Sequence, residues 1–148
     1  MQGKTRELEV MLDGWMDDLE EEARRVADVF QQAMYDSRGG SPKSWFKYGV
    51  RLERAPVPSR PLYIRWLEME WSKKKDGSHK YRGRHVRKGP NANRYPARSF
   101  KPSSELERNY IENAEDEFEK IREQVKLIGS LRKVMQASMR KKARKEEE

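Results

Sequence analysis

The feature that most constrains this chain is an apolar stripe near its end. Ile111, Ala114, Phe118, Ile121, Val125 and Ile128 recur in an unbroken 3-4-3-4-3 spacing, the period of a helix with one face to bury. Ser104 followed by Glu107, just after Pro102, forms a capping box at its start. The stripe runs on less regularly through Leu131, Met135 and Met139, which predicts a helix over 103–145, with MRKKARKEEE fraying where like charges crowd. A helix of about forty residues cannot bury such a stripe on a small sheet alone. It needs another helix of its own chain, or a second copy of itself in a coiled-coil homodimer.

Residues 1–36 offer the first kind of partner. Leu8, Leu12, Trp15, Leu19, Ala23, Val26, Phe30 and Ala33 recur at spacings of three and four, with Asp and Glu on the other face. Trp15 and Phe118 are expected in the core with either partner. Gly14 costs that helix about 1 kcal/mol relative to Ala, as a close contact or as simple tolerance. SRGGSP, residues 37–42, ends it.

Over 44–100 the period changes to two. Phe46, Tyr48, Val50 and Leu52 alternate with Lys47, Gly49, Arg51 and Glu53, a half-buried strand. APVPSRP breaks it with three prolines. LYIRWLEMEW, residues 62–71, is β-branched and aromatic but apolar on both faces, as a central strand or one bulged near Trp66 and Leu67. Asp76-Gly77 then suits a two-residue hairpin turn. That register pairs Lys75 with Ser78, Trp71 with Arg82, Met69 with Arg84 and Glu68 with His85. GPNAN reads as a loop, and RYPARSF as a short edge strand or an extended segment. The expected fold is α+β in one domain, a three-stranded antiparallel meander flanked by two long amphipathic helices.

Charge is segregated along this order. Residues 1–35 hold four Lys or Arg against nine acids, 41–101 seventeen against four, 102–125 three against eight, and 126–145 eight against none. Such a chain presents basic surfaces to a polyanion and keeps its acidic helices away from it. Absence of cysteine excludes disulfides, thiol catalysis and thiolate zinc sites. No apolar run approaches the length of a membrane span and no signal sequence opens the chain, so a cytoplasmic protein without membrane insertion is expected.

No nucleotide-binding, metalloprotease or serine-nucleophile pattern occurs, and neither an enzyme nor a cofactor is expected. His79 and His85 lie on one hairpin face with Glu68 or Glu70 within reach, a conceivable metal set, but such histidines are more often plain surface residues. Tyr81 and Tyr95 lack the histidine cluster that nicking tyrosines use. The basic hairpin has a bland reading, since Lys and Arg guard exposed edges. Seventeen cations interleaved with Trp45, Tyr48, Trp66, Trp71, Tyr81 and Tyr95 exceed that need. Nucleic-acid candidates are Lys73, Lys74, Lys75, Arg82, Arg84, Arg87, Lys88, Arg94 and Arg98, with Gly83 permitting close backbone approach. A two-stranded ribbon can enter the DNA major groove, and aromatics near basic residues suit single-stranded RNA equally well; alternatively the chain is a helical adaptor whose acidic and heptad faces bind a protein partner, the basic sheet being incidental.

YIRWLEMEW (63–71), RHVRKGPNANRYPARSF (84–100) and ELERNYIENAEDEFEKIREQ (105–124), behind an acidic amphipathic helix, together resemble the MobI family of conjugative transfer proteins. These are accessory factors of integrative conjugative elements and IncC-type plasmids. The resemblance covers about residues 45–128 and is most pointed at RKG, then RYP and SF, then FEKIR. It implies a bacterial protein that binds double-stranded DNA at an origin of transfer and assists the relaxase and relaxosome without nicking DNA itself. It assigns no binding residue individually.

Overall fold

A computed structural model describes residues 2–57, 60–90 and 92–147. The order is α1 (Gln2–Ser37), β1 (Tyr48–Glu53), β2 (Tyr63–Lys73), β3 (His79–His85) and α2 (Glu105–Glu147), with 3-10 turns at Pro42–Ser44 and Ala97–Ser99. The strands form one antiparallel sheet in the order β1-β2-β3. The fold is α+β, as the alternation of periods predicts. β2 is the central strand and pairs without interruption on both sides, so it carries no bulge.

The helices run antiparallel, since Asp13 and Trp15 meet Arg132 and Gln124 while Phe30 lies beside Tyr110 and Ala114. Both stripes are filled within the one chain. Ile111, Ala114, Phe118, Ile121 and Ile128 of α2 are buried against a core that includes Leu12, Leu19, Ala23 and Phe30 of α1. A second copy would therefore have to use outer positions such as Leu127, Leu131 and Val134, which are exposed.

The seam departs from the expected stripe in detail. Met16, Ala27 and Met34 are buried one position beyond Trp15, Val26 and Ala33, which are only partly buried, and Leu8 is exposed. Trp15 sits at the rim because its indole N–H needs a partner, and it donates to Gln124 Oε1 at 3.0 Å. On α2, Leu131 and Met139 face outward while Arg132 turns inward to pair with Asp13. The end expected to fray is helical through Glu147; it lacks Gly, Pro and β-branched residues, and its cations suit the negative end of the helix dipole.

Even-numbered residues of β1 and β2 face the helices. Tyr48, Val50, Ile64 and Trp66 are buried, and Trp66 is wholly enclosed. Its ring meets Phe30 of α1 at 4.8 Å, Phe118 of α2 at 6.1 Å and Phe100 at 5.5 Å, all edge-to-face. RYPARSF forms neither a strand nor a plain extended run. It closes a 3-10 turn, with Ser99 N donating to Pro96 O at 2.9 Å, and buries Tyr95 and Phe100. The expected loops at 55–61 and 89–93 fall partly outside the described residues.

Gly14 is exposed, and nothing lies within 4 Å of the place a Cβ would take. Gly14→Ala should raise unfolding stability by about 1 kcal/mol, measured as a shift of the urea midpoint. Phe118→Glu, burying a charge between two helices and a sheet, should cost more than about 4 kcal/mol. It should abolish the cooperative thermal transition; a folded variant with altered sedimentation would instead mean that the stripe joins two chains.

Candidate nucleic-acid interface

β1 reaches only to the pair Tyr48↔Glu68. Met69 N still donates to Lys47 O at 2.6 Å just before β1, and beyond it four pairs of the β2–β3 hairpin, from Glu70↔Arg82 to Lys73↔His79, have no third strand beside them. At about 3.3 Å per residue this two-stranded ribbon stands ~13 Å clear of the sheet.

Its turn is longer than Asp76-Gly77 alone. Gly77 N donates to Lys74 O at 3.0 Å, Lys74 N donates to Ser78 O at 2.7 Å, and Gly77 takes φ +89°. This is a type I turn closed by a left-handed glycine, the three-residue hairpin alternative. Asp76 Oδ1 accepts from Ser78 N at 2.9 Å and from Ser78 Oγ at 2.6 Å, and these bonds hold its carboxyl below the usual range. The extra turn residue shifts the expected register by one. Trp71 pairs with Tyr81 instead of Arg82, Met69 with Gly83 instead of Arg84, and Glu68 with Arg84 instead of His85.

A one-residue shift exchanges the faces. Lys80, Arg82 and Arg84 lie opposite Ser72, Glu70 and Glu68 on one side. On the other side Leu67 covers Gly83, its Cδ1 3.4 Å from where a Cβ would stand. The close approach that Gly83 permits is taken by Leu67. Arg84 contacts Glu70 at 3.4 Å and Glu68 at 3.7 Å. Its side chain stays 69% exposed, so each pair is worth about 1 kcal/mol or less and a phosphate can displace it. Arg82 makes no ion pair with a described residue.

The nine expected contact residues fall into separate groups. Lys73, Lys74 and Lys75 surround the ribbon tip, and Arg82 and Arg84 share one face; all five are exposed. Arg87 and Arg98, both exposed, come together at the ribbon's base, where Ser99 Oγ donates to Arg87 O at 3.3 Å. Lys88 and Arg94, both half-buried, are engaged by neighbouring groups. Lys88 Nζ donates to Ala92 O, and burial, then the charges of Arg122 and Lys126, holds its pKa down. Arg94 pairs with Asp116 at 2.6 Å and Glu119 at 3.2 Å. Lys80, absent from the expected set, is exposed in the middle of the ribbon; its even spacing with Arg82 and Arg84 was the available signal. The side chains of Trp71, His79 and Tyr81 lie outside the described residues, and with them the conceivable His79–His85 metal set. Among the described residues no cluster of three metal-ligating side chains occurs.

Two buried carboxylates of α2 hold the ribbon's base. Glu115 accepts from Trp66 Nε1 at 2.5 Å, Tyr95 N at 3.0 Å and both terminal nitrogens of Arg122 at 2.9 and 3.0 Å. Arg122 also donates to Asn93 O and Ile64 O. Glu107 accepts from Lys47 N at 2.6 Å, Tyr48 N at 3.1 Å and Ser103 N at 2.7 Å, while its own N–H donates to Ser104 Oγ at 3.1 Å. The hydroxyl half of the expected capping box forms, while the glutamate reaches past the Ser104 N–H to Ser103 and ties the helix start to β1 as well.

The MobI protein family model matches residues 19–136. The chain belongs to the MobI protein family. It is thereby a conjugation-related mobilisation accessory protein. The matched span takes in the whole sheet, the ribbon and both buried carboxylates of this MobI-family chain. No curated protein and no solved structure matches. No described helix is long and apolar enough to cross a membrane.

Glu115→Gln leaves the Arg122 charge buried without its counter-ion and should cost about 3–5 kcal/mol in urea unfolding. Replacing both residues together, Glu115→Leu with Arg122→Met, should cost markedly less than the sum of the single changes.

Proposed function

We propose that this MobI-family protein binds double-stranded DNA at an origin of transfer through the β2–β3 ribbon, and so assists relaxase and relaxosome assembly. It does so without catalysis of its own, in the bacterial cytoplasm. The observation that carries the reading is a ribbon freed from β1 with Lys73, Lys74, Lys75, Lys80, Arg82, Arg84 and Arg87 all exposed on or beside it. A two-stranded ribbon fits the major groove, about 12 Å wide, where Arg pairs bidentately with guanine. Arg82 and Arg84, two residues apart on one face, are the base-reading candidates. The tip lysines suit phosphates.

A helical adaptor is the second reading, favoured by exposed Leu127, Leu131 and Val134 on the outer side of α2. It requires a protein partner and predicts no measurable duplex affinity.

The five cations left for phosphates, Lys73, Lys74, Lys75, Lys80 and Arg87, imply that duplex affinity falls about 10² to 10³-fold between roughly 50 and 200 mM salt. Binding that is flat over that range removes the proposal. Arg84→Ala should cost about 1–3 kcal/mol on the true site and far less on random duplex, whereas Lys74→Ala should weaken both alike and lower the salt slope by about one. Glu70→Gln, which releases Arg84, should strengthen random-duplex binding by about 1 kcal/mol or less.

A further inference from the structure

A second surface lies away from the ribbon tip. Between β2, the chain just after β3 and the middle of α2 runs an open groove of about 750 Å3. Its floor is apolar: Leu62, Ile64 and Tyr95 are buried, and Val86 and Val125 partly so. Beneath it the Arg122–Glu115 pair fixes α2 to β2 through Ile64 O and Trp66. Around it stand Lys88, Lys126 and Lys133, and also Arg65, which pairs with Glu53 at 3.7 Å; no Asp or Glu is among the lining residues.

Lys88, partly buried in the groove, is held below its ordinary pKa by burial first and then by the charges of Arg122 and Lys126, against the opposing charge of Glu115. An anion seated there relieves this repulsion. One of the three protons of the Lys88 ammonium is used by Ala92 O, which aims the group and leaves two donors. At the rim Tyr63 is 48% exposed, with the Arg65 guanidinium 5.1 Å from its ring centroid. An aromatic face beside a guanidinium is a stacking platform for a nucleobase.

We infer that this groove binds an unpaired polynucleotide strand, with phosphates against the Lys88 and Lys133 side and a base stacked on Tyr63. Its size excludes a duplex from entering and matches about one or two nucleotides. A single strand presents phosphates and base faces together, which a cationic rim over an apolar floor requires. The site is separate from the ribbon, since none of Lys73, Lys74, Lys75, Arg82 or Arg84 lines it.

Gly129, on α2 inside the groove, supplies a clean test. Nothing lies within 4 Å of where its Cβ would be, so Gly129→Glu adds a carboxylate without a clash and improves helix propensity. Anisotropy with a labelled thymidine homopolymer and a uridine homopolymer measures strand binding by the full chain and shows which sugar it prefers. Gly129→Glu and Tyr63→Ala should each weaken the preferred homopolymer about tenfold or more. Gly129→Glu should hold or slightly raise the unfolding midpoint and Tyr63→Ala should leave it close to wild type, and both should change duplex affinity by less than about twofold. Homopolymer affinity left unchanged by both variants overturns the inference, and so does a loss equally deep in Lys74→Ala, which would put the strand on the ribbon. If duplex binding is absent while the strand still binds in a Tyr63-dependent way, the ribbon reading fails and the groove stands.

Discussion

A carboxylate sealed from water costs several kcal/mol unless its lone pairs are answered, and Glu115, 1% exposed, is answered by an indole N–H, a backbone N–H and both arms of one guanidinium. The geometry fixes three things at once. Trp66 is oriented at the middle of the central strand, Tyr95 is drawn down over the sheet's end, and Arg122 reaches Ile64 O and Asn93 O. Glu107, eight residues earlier on α2 and fully buried, does the same for the start of β1. The sheet is therefore fastened to α2 by two polar anchors as well as by its apolar face. Such anchors favour one arrangement because sliding α2 by a turn would leave buried charges unanswered.

Fastening one end of the sheet leaves the other free. β1 stops opposite Glu68, and the hairpin continues past it carrying cations on or beside both strands. Its near end rests on a rigid base, while its far end has only the other strand to pair with. The acids gather on the helices, where Asp17 and Glu20 hold Arg54, and Asp116 and Glu119 hold Arg94. The charge segregation visible along the chain thus becomes spatial, with Arg54 and Arg94 neutralised against the helices and the ribbon's cations left exposed.

How much of this was legible in the sequence depended on whether the signal was local. The 3-4-3-4-3 spacing from Ile111 to Ile128 and the alternation from Tyr48 to Leu52 are carried by neighbouring residues, and both elements formed where they point. The hairpin existed as expected, but its register turned on one dihedral choice, whether Asp76-Gly77 closes the turn alone or with Lys75 before it. Both are compatible with the same residues, and the difference moved Arg82 and Arg84 from the side of Leu67 and Met69 to the side of Glu68 and Glu70. Lys88 and Arg94 look in sequence like the other seven candidate cations. Asp116 and Glu119 became neighbours of Arg94 only when the loop after β3 folded back on α2, while Lys88 turns to the carbonyl of Ala92 within that loop.

The sequence by itself determined the element types, the two amphipathic helices around a meander and the uneven charge along the chain, because periodicity and composition act over a few residues. Tertiary structure alone decided that α1 fills the α2 stripe and that Glu115 meets Arg122 and Trp66. It alone decided which cations are spent on acids, and that a groove without acids opens beside Gly129. Each of these depends on residues far apart in the chain meeting in a water-excluded contact, where an ion pair or an aromatic edge has an energy that no local pattern encodes.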